Sequence, residues 1–162
     1  MKSVTQRPID SRPPVWFFIL SHHSYGKLSH TIRVRLGTKE VYLCARCTGI
    51  GMGMLVGSLY VDYLAYLFLQ YPGLVVAFVL PAIVDWLSQV FRFKNSTNPR
   101  RLVTGALVGN AYLVGLVALA RGWFGLLLYY ALAFAAYAAI LYVLFRMTGV
   151  MDDYLASSWP MP

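Results

Sequence analysis

The chain has 162 residues, of which 59% are hydrophobic and only 12% charged, and its formal net charge is +8. That balance lies outside the range of ordinary soluble proteins and reads as an integral membrane protein, a single domain with at most a small appendage. The positive charge hugs the ends of apolar segments, so it reads as topology and contact with anionic membrane lipid; no nucleic-acid partner is expected.

The first residues are polar, are interrupted by Pro8, Pro13 and Pro14, and lack the pattern of a secretory signal. The apolar run at residues 15–20 is too short to span and is expected at the membrane interface, with Trp16 at headgroup level. Next the pattern alternates. Ile32, Val34 and Leu36 are apolar, Arg33 and Arg35 are charged, and a second short run, Val41-Tyr42-Leu43, follows Gly37-Thr38-Lys39-Glu40. This predicts a β-hairpin, and folding it back about those four residues sets Cys44 near Arg33.

Cys44-Ala45-Arg46-Cys47 ends this front. These are the chain's 2 cysteines, and its 3 histidines, His22, His23 and His30, all precede them closely. A Cys-x-x-Cys pair lets two thiolates reach one ion from a tight turn, and imidazoles from an earlier loop complete a tetrahedral shell. The expected metal is zinc, with His22, His23, His30, Cys44 and Cys47 as candidate ligands. Two thiolates are too few for the usual four-cysteine iron–sulfur cluster. The alternatives are a thiol redox centre and cysteines without a ligand. Arg46, between the thiols, lowers their pKa, binds an anion or serves as a topology charge.

Four apolar segments follow, at residues 48–70, 73–91, 102–120 and 123–145. Each is long enough to cross a hydrocarbon core of about 30 Å as a helix. The expected fold is thus an all-α polytopic membrane protein of four transmembrane helices, with a small cytoplasmic metal-binding β-hairpin in front. The expected boundaries are 1–47 for the cytoplasmic segment, 48–146 for the membrane domain and 147–162 for a cytoplasmic tail. Of 14 Lys and Arg, eight precede the first span, Arg92, Lys94, Arg100 and Arg101 lie between the second and third, and Arg146 follows the last. Only Arg121 falls on the other side. The positive-inside rule makes this a multi-pass protein of the cell membrane with both termini cytoplasmic. The Asn95-Ser96-Thr97 sequon then faces away from the glycosylation machinery and is a chance match.

Within the spans, Gly49, Gly53 and Gly57 recur every fourth residue, as do Gly105 and Gly109, a spacing that lets helix backbones approach closely. Ionisable groups are costly there and hence functional candidates. Asp62 is expected toward the outer leaflet. Asp85 lies within two turns of the cytoplasmic end of the second span, and Gln89 and Arg92 share its helix face. Asp85, Gln89, Arg92, Asn98 and Arg101 are therefore expected to converge where the cysteines emerge, with Thr104 and Gly105 opening the next span beside them. The bland alternative is an Asp–Arg pair that satisfies itself at the interface. Asn110 is expected to donate a hydrogen bond between helices.

These residues resemble an uncharacterised family of small prokaryotic integral membrane proteins, domain of unknown function 2085. Its pattern is a Cys-His pair, then Cys-Ala-Arg-Cys-Thr-Gly where the first span begins, an Asp-x-x-x-Gln step and an Asn-x-x-Arg-x-x-Thr-Gly step. The matching residues here are His22, Cys44 to Gly49, Asp85 with Gln89, and Asn98, Arg101, Thr104 and Gly105, within roughly residues 20–110. Ser21 stands where the family usually has cysteine, which makes His23 or His30 the substitute ligand. The resemblance implies a shared cytoplasmic metal site and supplies no activity.

The expected function is a zinc-bearing hairpin docked on a polar interfacial cluster that takes an anionic small molecule or a lipid headgroup. Asp85 acts as base or orients Gln89, and Arg92, Asn98, Arg101 and Thr104 hold the substrate. Four ligands make the zinc structural; three leave a position for activating water and make the protein an enzyme. A second expectation is an ion or solute transporter, assembled as a homo-oligomer, with Asp62 and Asp85 in its path. A third is a thiol oxidoreductase using Cys44 and Cys47.

Overall fold

A computed structural model of the protein describes residues 31–36, 39–91 and 96–148. His22, His23, His30, Arg92, the interfacial run at residues 15–20 and the C-terminal tail lie outside the described residues. The chain divides into two compact units, Met1–Cys44 and Ala45–Pro162.

In the first unit β1 (Thr31–Leu36) and β2 (Lys39–Cys44) pair antiparallel, as the alternation predicts. Arg33 and Arg35 are exposed, while Thr31 and Cys44 are buried. The register differs from the expected one. Leu36 pairs with Lys39, so the connection is the two residues Gly37 and Thr38, not four. Arg33 consequently faces Tyr42, and Cys44 lies opposite Thr31. Lys39 and Glu40 join the strand, opposite Leu36 and Arg35. A slip of two leaves every side chain on its expected face.

The second unit is helical: α1 (Ala45–Ser58), α2 (Val61–Gln70), α3 (Leu74–Val90), α4 (Asn98–Ala120) and α5 (Phe124–Thr148). Among the described residues α4 and α5 are each long and apolar enough to cross a membrane. The expected first span is not one rod. It breaks after Ser58 into α1 and α2, bent 97° from each other, so the candidate spans number 2, or 3 if the bent pair is taken as one. At the break the helix tightens: the Leu59 and Tyr60 amides donate to carbonyls three residues back, at Val56 and Gly57, both at 3.1 Å. The Ser58 hydroxyl donates to the Leu55 carbonyl, and the Tyr60 hydroxyl reaches across to Asn110 Oδ1 at 3.1 Å. Asn110 is thus the acceptor of the interhelical bond; its own amide donates to the Ala106 carbonyl within α4. At 17 residues α3 is the shortest of the remaining apolar helices and contains Pro81.

α4 is the spine. Gly49 and Gly53 of α1 face the backbone of α4 at Leu102 and Ala106, while Gly105 and Gly109 of α4 face the carbonyls of Arg46 and Ile50. Residue numbers rise together on both sides, so α1 and α4 run parallel with their backbones touching. Farther along, Leu64 and Phe68 of α2, Val75 of α3 and Leu126 of α5 pack on Ala111, Val114 and Ala118 of α4. Buried Ala at these positions leaves room for the Phe68 ring, which also meets Phe78 edge-on at 5.2 Å. α5 is held by Tyr130, whose hydroxyl donates to the Ala111 carbonyl at 2.7 Å, and presents Leu128, Leu132, Phe134 and Ile140 outward. Such a surface would be costly in water and is unremarkable in hydrocarbon.

Asp62 opens α2 and accepts from Arg121, at the C-terminus of α4, at 2.5 Å. Arg121 also lies over the Trp123 ring, 5.3 Å from its centroid. Both partners of the ion pair are well exposed, so it contributes about 1 kcal/mol at most. It has the character of an interfacial pin rather than of a buried functional carboxylate.

Candidate functional site

At the opposite end of the helical unit, a carboxylate with no exposed surface gathers donors from three helices. It is Asp85, in the last two turns of α3. The separation of four residues brings Gln89 onto the same face, where its amide donates to the Asp85 carbonyl at 2.8 Å and to Oδ2 at 3.2 Å. Arg46, in the first turn of α1, donates through Nη2 to the same Oδ2 at 2.6 Å. Ser96, two residues before α4, adds its hydroxyl to Oδ2 at 3.0 Å. The other oxygen, Oδ1, faces Arg100 Nε at 3.1 Å.

The sequence explains why these groups meet. Pro99 sits in the first turn of α4, where its missing N–H costs nothing, and the helix start it favours carries Arg100 and Arg101 to the level of the end of α3. The glycine contacts fix the depth of α1 against α4 and with it the height of Arg46. Burying a carboxylate is expensive unless it is paired and hydrogen-bonded, and Asp85 is both.

Arg101 takes a different place from Arg100. It is buried, and its Nη2 donates to Gln89 Oε1. Gln89 thereby accepts from one arginine through its oxygen and donates to Asp85 through its nitrogen, so its amide orientation is fixed from both sides. Thr104 is buried and turns back to the Arg101 carbonyl at 3.3 Å. Asn98 opens α4 and is half-buried. Of the residues expected to converge, Asp85, Gln89 and Arg101 do so, while Arg92 lies outside the described residues.

Three members were missed from sequence: Arg46 as an Asp85 partner, Arg100 and Ser96. Ser96 was hidden inside the Asn95-Ser96-Thr97 sequon. The usable signal was its separation of four from Arg100, which straddles the predicted start of the third span.

Cys44 ends β2 and is buried; Cys47 is exposed in the first turn of α1, and both are thiols. Among the described residues no three His, Cys, Asp or Glu side chains come together, and the histidines lie outside that set. The zinc expectation therefore rests on sequence spacing.

Long apolar helices around a buried, doubly paired carboxylate define a helical membrane protein with an ionic centre at one end of its bundle. A family model described as a predicted membrane protein, DUF2085, matches residues 27–115, more than half of the chain, and the protein belongs to that family. The match runs from before β1 into α4, taking in every residue of the Asp85 centre and leaving out α5. No curated protein and no solved structure gives a significant match.

Proposed function

We propose that the protein crosses the cell membrane four times with both termini in the cytoplasm, and that its Asp85 centre binds an anionic headgroup or small anion at the cytoplasmic face. The observation that carries this reading is one of charge. Two guanidiniums, Arg46 and Arg100, share a single buried carboxylate, and their side chains keep 27% and 42% of their surface exposed. A net positive charge in a partly desolvated niche attracts an anion far more strongly than the same charge in water.

The ion pairs also support the topology. They set the start of α1, the end of α3 and the start of α4 at one level, which supports a reading in which the bent pair α1 and α2 traverses and α3 returns. The excess of Lys and Arg in the segments at that level favours the cytoplasmic side. Asp85 is buried and paired with both Arg46 and Arg100, which suits an orienting group better than a base, since a base must be reached by its substrate. An ion path through Asp62 and Asp85 has less support, because each is already engaged by arginine.

The test is thermal unfolding of the purified protein in detergent during titration with phosphatidylglycerol or phosphatidylcholine. The anionic lipid is expected to raise Tm in a saturable manner that weakens with salt, following mass action for a ligand of the native state. Equal responses to the two lipids overturn the reading.

For the thiols we propose a structural zinc held by Cys44, Cys47 and two of His22, His23 and His30. Elemental analysis of the purified protein is expected to give one zinc per chain, lost in Cys44→Ser/Cys47→Ser. A metal-free protein of full stability would remove zinc and leave the Asp85 centre untouched.

A further inference from the structure

The two halves of the bent pair carry the chain in different directions. α1 lies along α4, touching it from Gly49 to Gly57, and so follows the axis of a helix long enough to cross the membrane. α2 is turned 97° from α1 and therefore runs across that axis. Both its ends stand at one face of the bundle. Asp62, in the first turn of α2, is tied to Arg121 in the turn between α4 and α5. Gln70, its last residue, leads through Tyr71-Pro72-Gly73 into α3. A helix that starts and finishes beside the turns of one face makes no crossing of its own.

The side chains of α2 suit that position. Leu64, Ala65 and Phe68 are buried, with Leu64 and Phe68 in the cluster on α4. Asp62, Tyr63, Tyr66, Leu69 and Gln70 recur at spacings of three and four and make up the exposed face. That face carries a carboxylate, two phenols and an amide, whereas α5 exposes Leu128, Leu132, Phe134 and Ile140. Hydrocarbon suits the second set and not the first. Tyrosine favours the boundary, where its ring rests among acyl chains and its hydroxyl among headgroups. The Asp62–Arg121 pair, exposed on both sides, would be costly in hydrocarbon and is easily tolerated in the headgroup layer. Length agrees as well. At about 1.5 Å per residue the 14 residues of α1 rise roughly 21 Å, which leaves α2 roughly 5 to 10 Å inside the far boundary of a ~30 Å core, the depth at which an in-plane helix rests.

We infer that α1 makes the first crossing alone and that α2 lies in the plane of the membrane at the face opposite the Asp85 centre, with Tyr63, Tyr66 and Gln70 among phospholipid headgroups. The partner of this surface is the bilayer, whatever its headgroup charge, because Asp62 and Arg121 neutralise each other. The inference rests on the four-crossing reading above and holds whichever face is cytoplasmic.

The experiment places the full-length protein in phosphatidylcholine vesicles. Tyr63, Tyr66 or Leu69 of α2, or Leu128 or Phe134 of α5, is replaced by p-acetylphenylalanine carrying a nitroxide, which leaves both cysteines as they are. Power saturation in electron paramagnetic resonance, with oxygen and a water-soluble nickel chelate, reads the depth of each label. Positions 63 and 69 have the same separation as 128 and 134, about 9 Å along a helix. The three α2 labels are expected at one depth near the headgroup boundary, and the two α5 labels at depths differing by roughly 9 Å. A similar difference between 63 and 69, or a common α2 depth near the bilayer centre, overturns the inference and leaves four crossings standing. Labels on α2 shielded from both reagents assign the face to a second copy of the chain and overturn it too. No gradient along α5 overturns the four-crossing reading and this inference with it. As an independent readout, Tyr66→Lys is expected to unfold close to the parent's Tm and Phe134→Lys well below it, since only the second buries its charge in hydrocarbon; equal losses overturn the inference.

Discussion

Replacing Asp85, a fully buried carboxylate, by asparagine is expected to cost about 3 kcal/mol of stability. The amide keeps the volume and still accepts one hydrogen bond, so packing is not the cause. What is lost is the countercharge for Arg46 and Arg100, and truncating one side of a buried ion pair leaves the other side uncompensated. The figure is set at the low end of that class because both arginines keep part of their surface in contact with solvent. Thermal or SDS unfolding followed by circular dichroism measures it. The same physics makes a second, less intuitive prediction. Asp85→Leu/Arg46→Leu is expected to be more stable than Asp85→Leu alone, because removing both charges also removes the desolvation cost that the pair was formed to offset. A double variant no better than the single would mean that Arg46 and Asp85 are not coupled as their contact implies.

How much of this centre could be read from the chain depends on whether the relevant geometry is local. Asp85 and Gln89 share a face because they are four apart in one helix, and that is legible from spacing alone. Which of Arg100 and Arg101 points at Asp85 is not. Adjacent helical residues point about 100° apart, so the answer depends on the rotation of α4, which the glycine contacts with α1 determine. Arg46 lies 39 residues from its carboxylate and carries no local mark of it. The hairpin was legible from alternation, but its register was not, since Lys39 and Glu40 look like turn residues and are claimed by the ladder. The broken first span was hidden for another reason. Residues 48–70 read as one mainly apolar segment, and apolarity measures affinity for lipid, not straightness. The bend arises where Tyr60 turns to Asn110 and where Leu64 and Phe68 find α4, both tertiary contacts.

Adding one methyl group at Gly53 is expected to destabilise the protein by about 2 kcal/mol or more, whereas the same change at Gly51 is expected to stabilise it by roughly 0.5 to 1 kcal/mol. The two glycines lie in one helix, two residues apart, in the same sequence context. A Cβ on Gly53 would fall against the carbonyl oxygen of Ala106, with the Ala106 Cα 2.7 Å away. Both are backbone atoms that move only with α4, so α1 must retreat. A Cβ on Gly51 meets nothing within 4 Å, and there alanine simply removes the entropy that glycine loses on entering a helix. Propensity alone predicts stabilisation at both sites, so opposite signs isolate the close approach of the helices. The consequence reaches the ionic centre. Gly105 accommodates the Arg46 carbonyl, so any change that pushes α1 from α4 also draws the Arg46 side chain away from Asp85. Gly53→Ala should therefore weaken anion binding although it stands two turns from the site, while Gly51→Ala leaves it unchanged. If Gly53→Ala lowers stability yet binds anion like the parent, the glycine contacts hold the helices together without setting the height of Arg46, and the two features are independent.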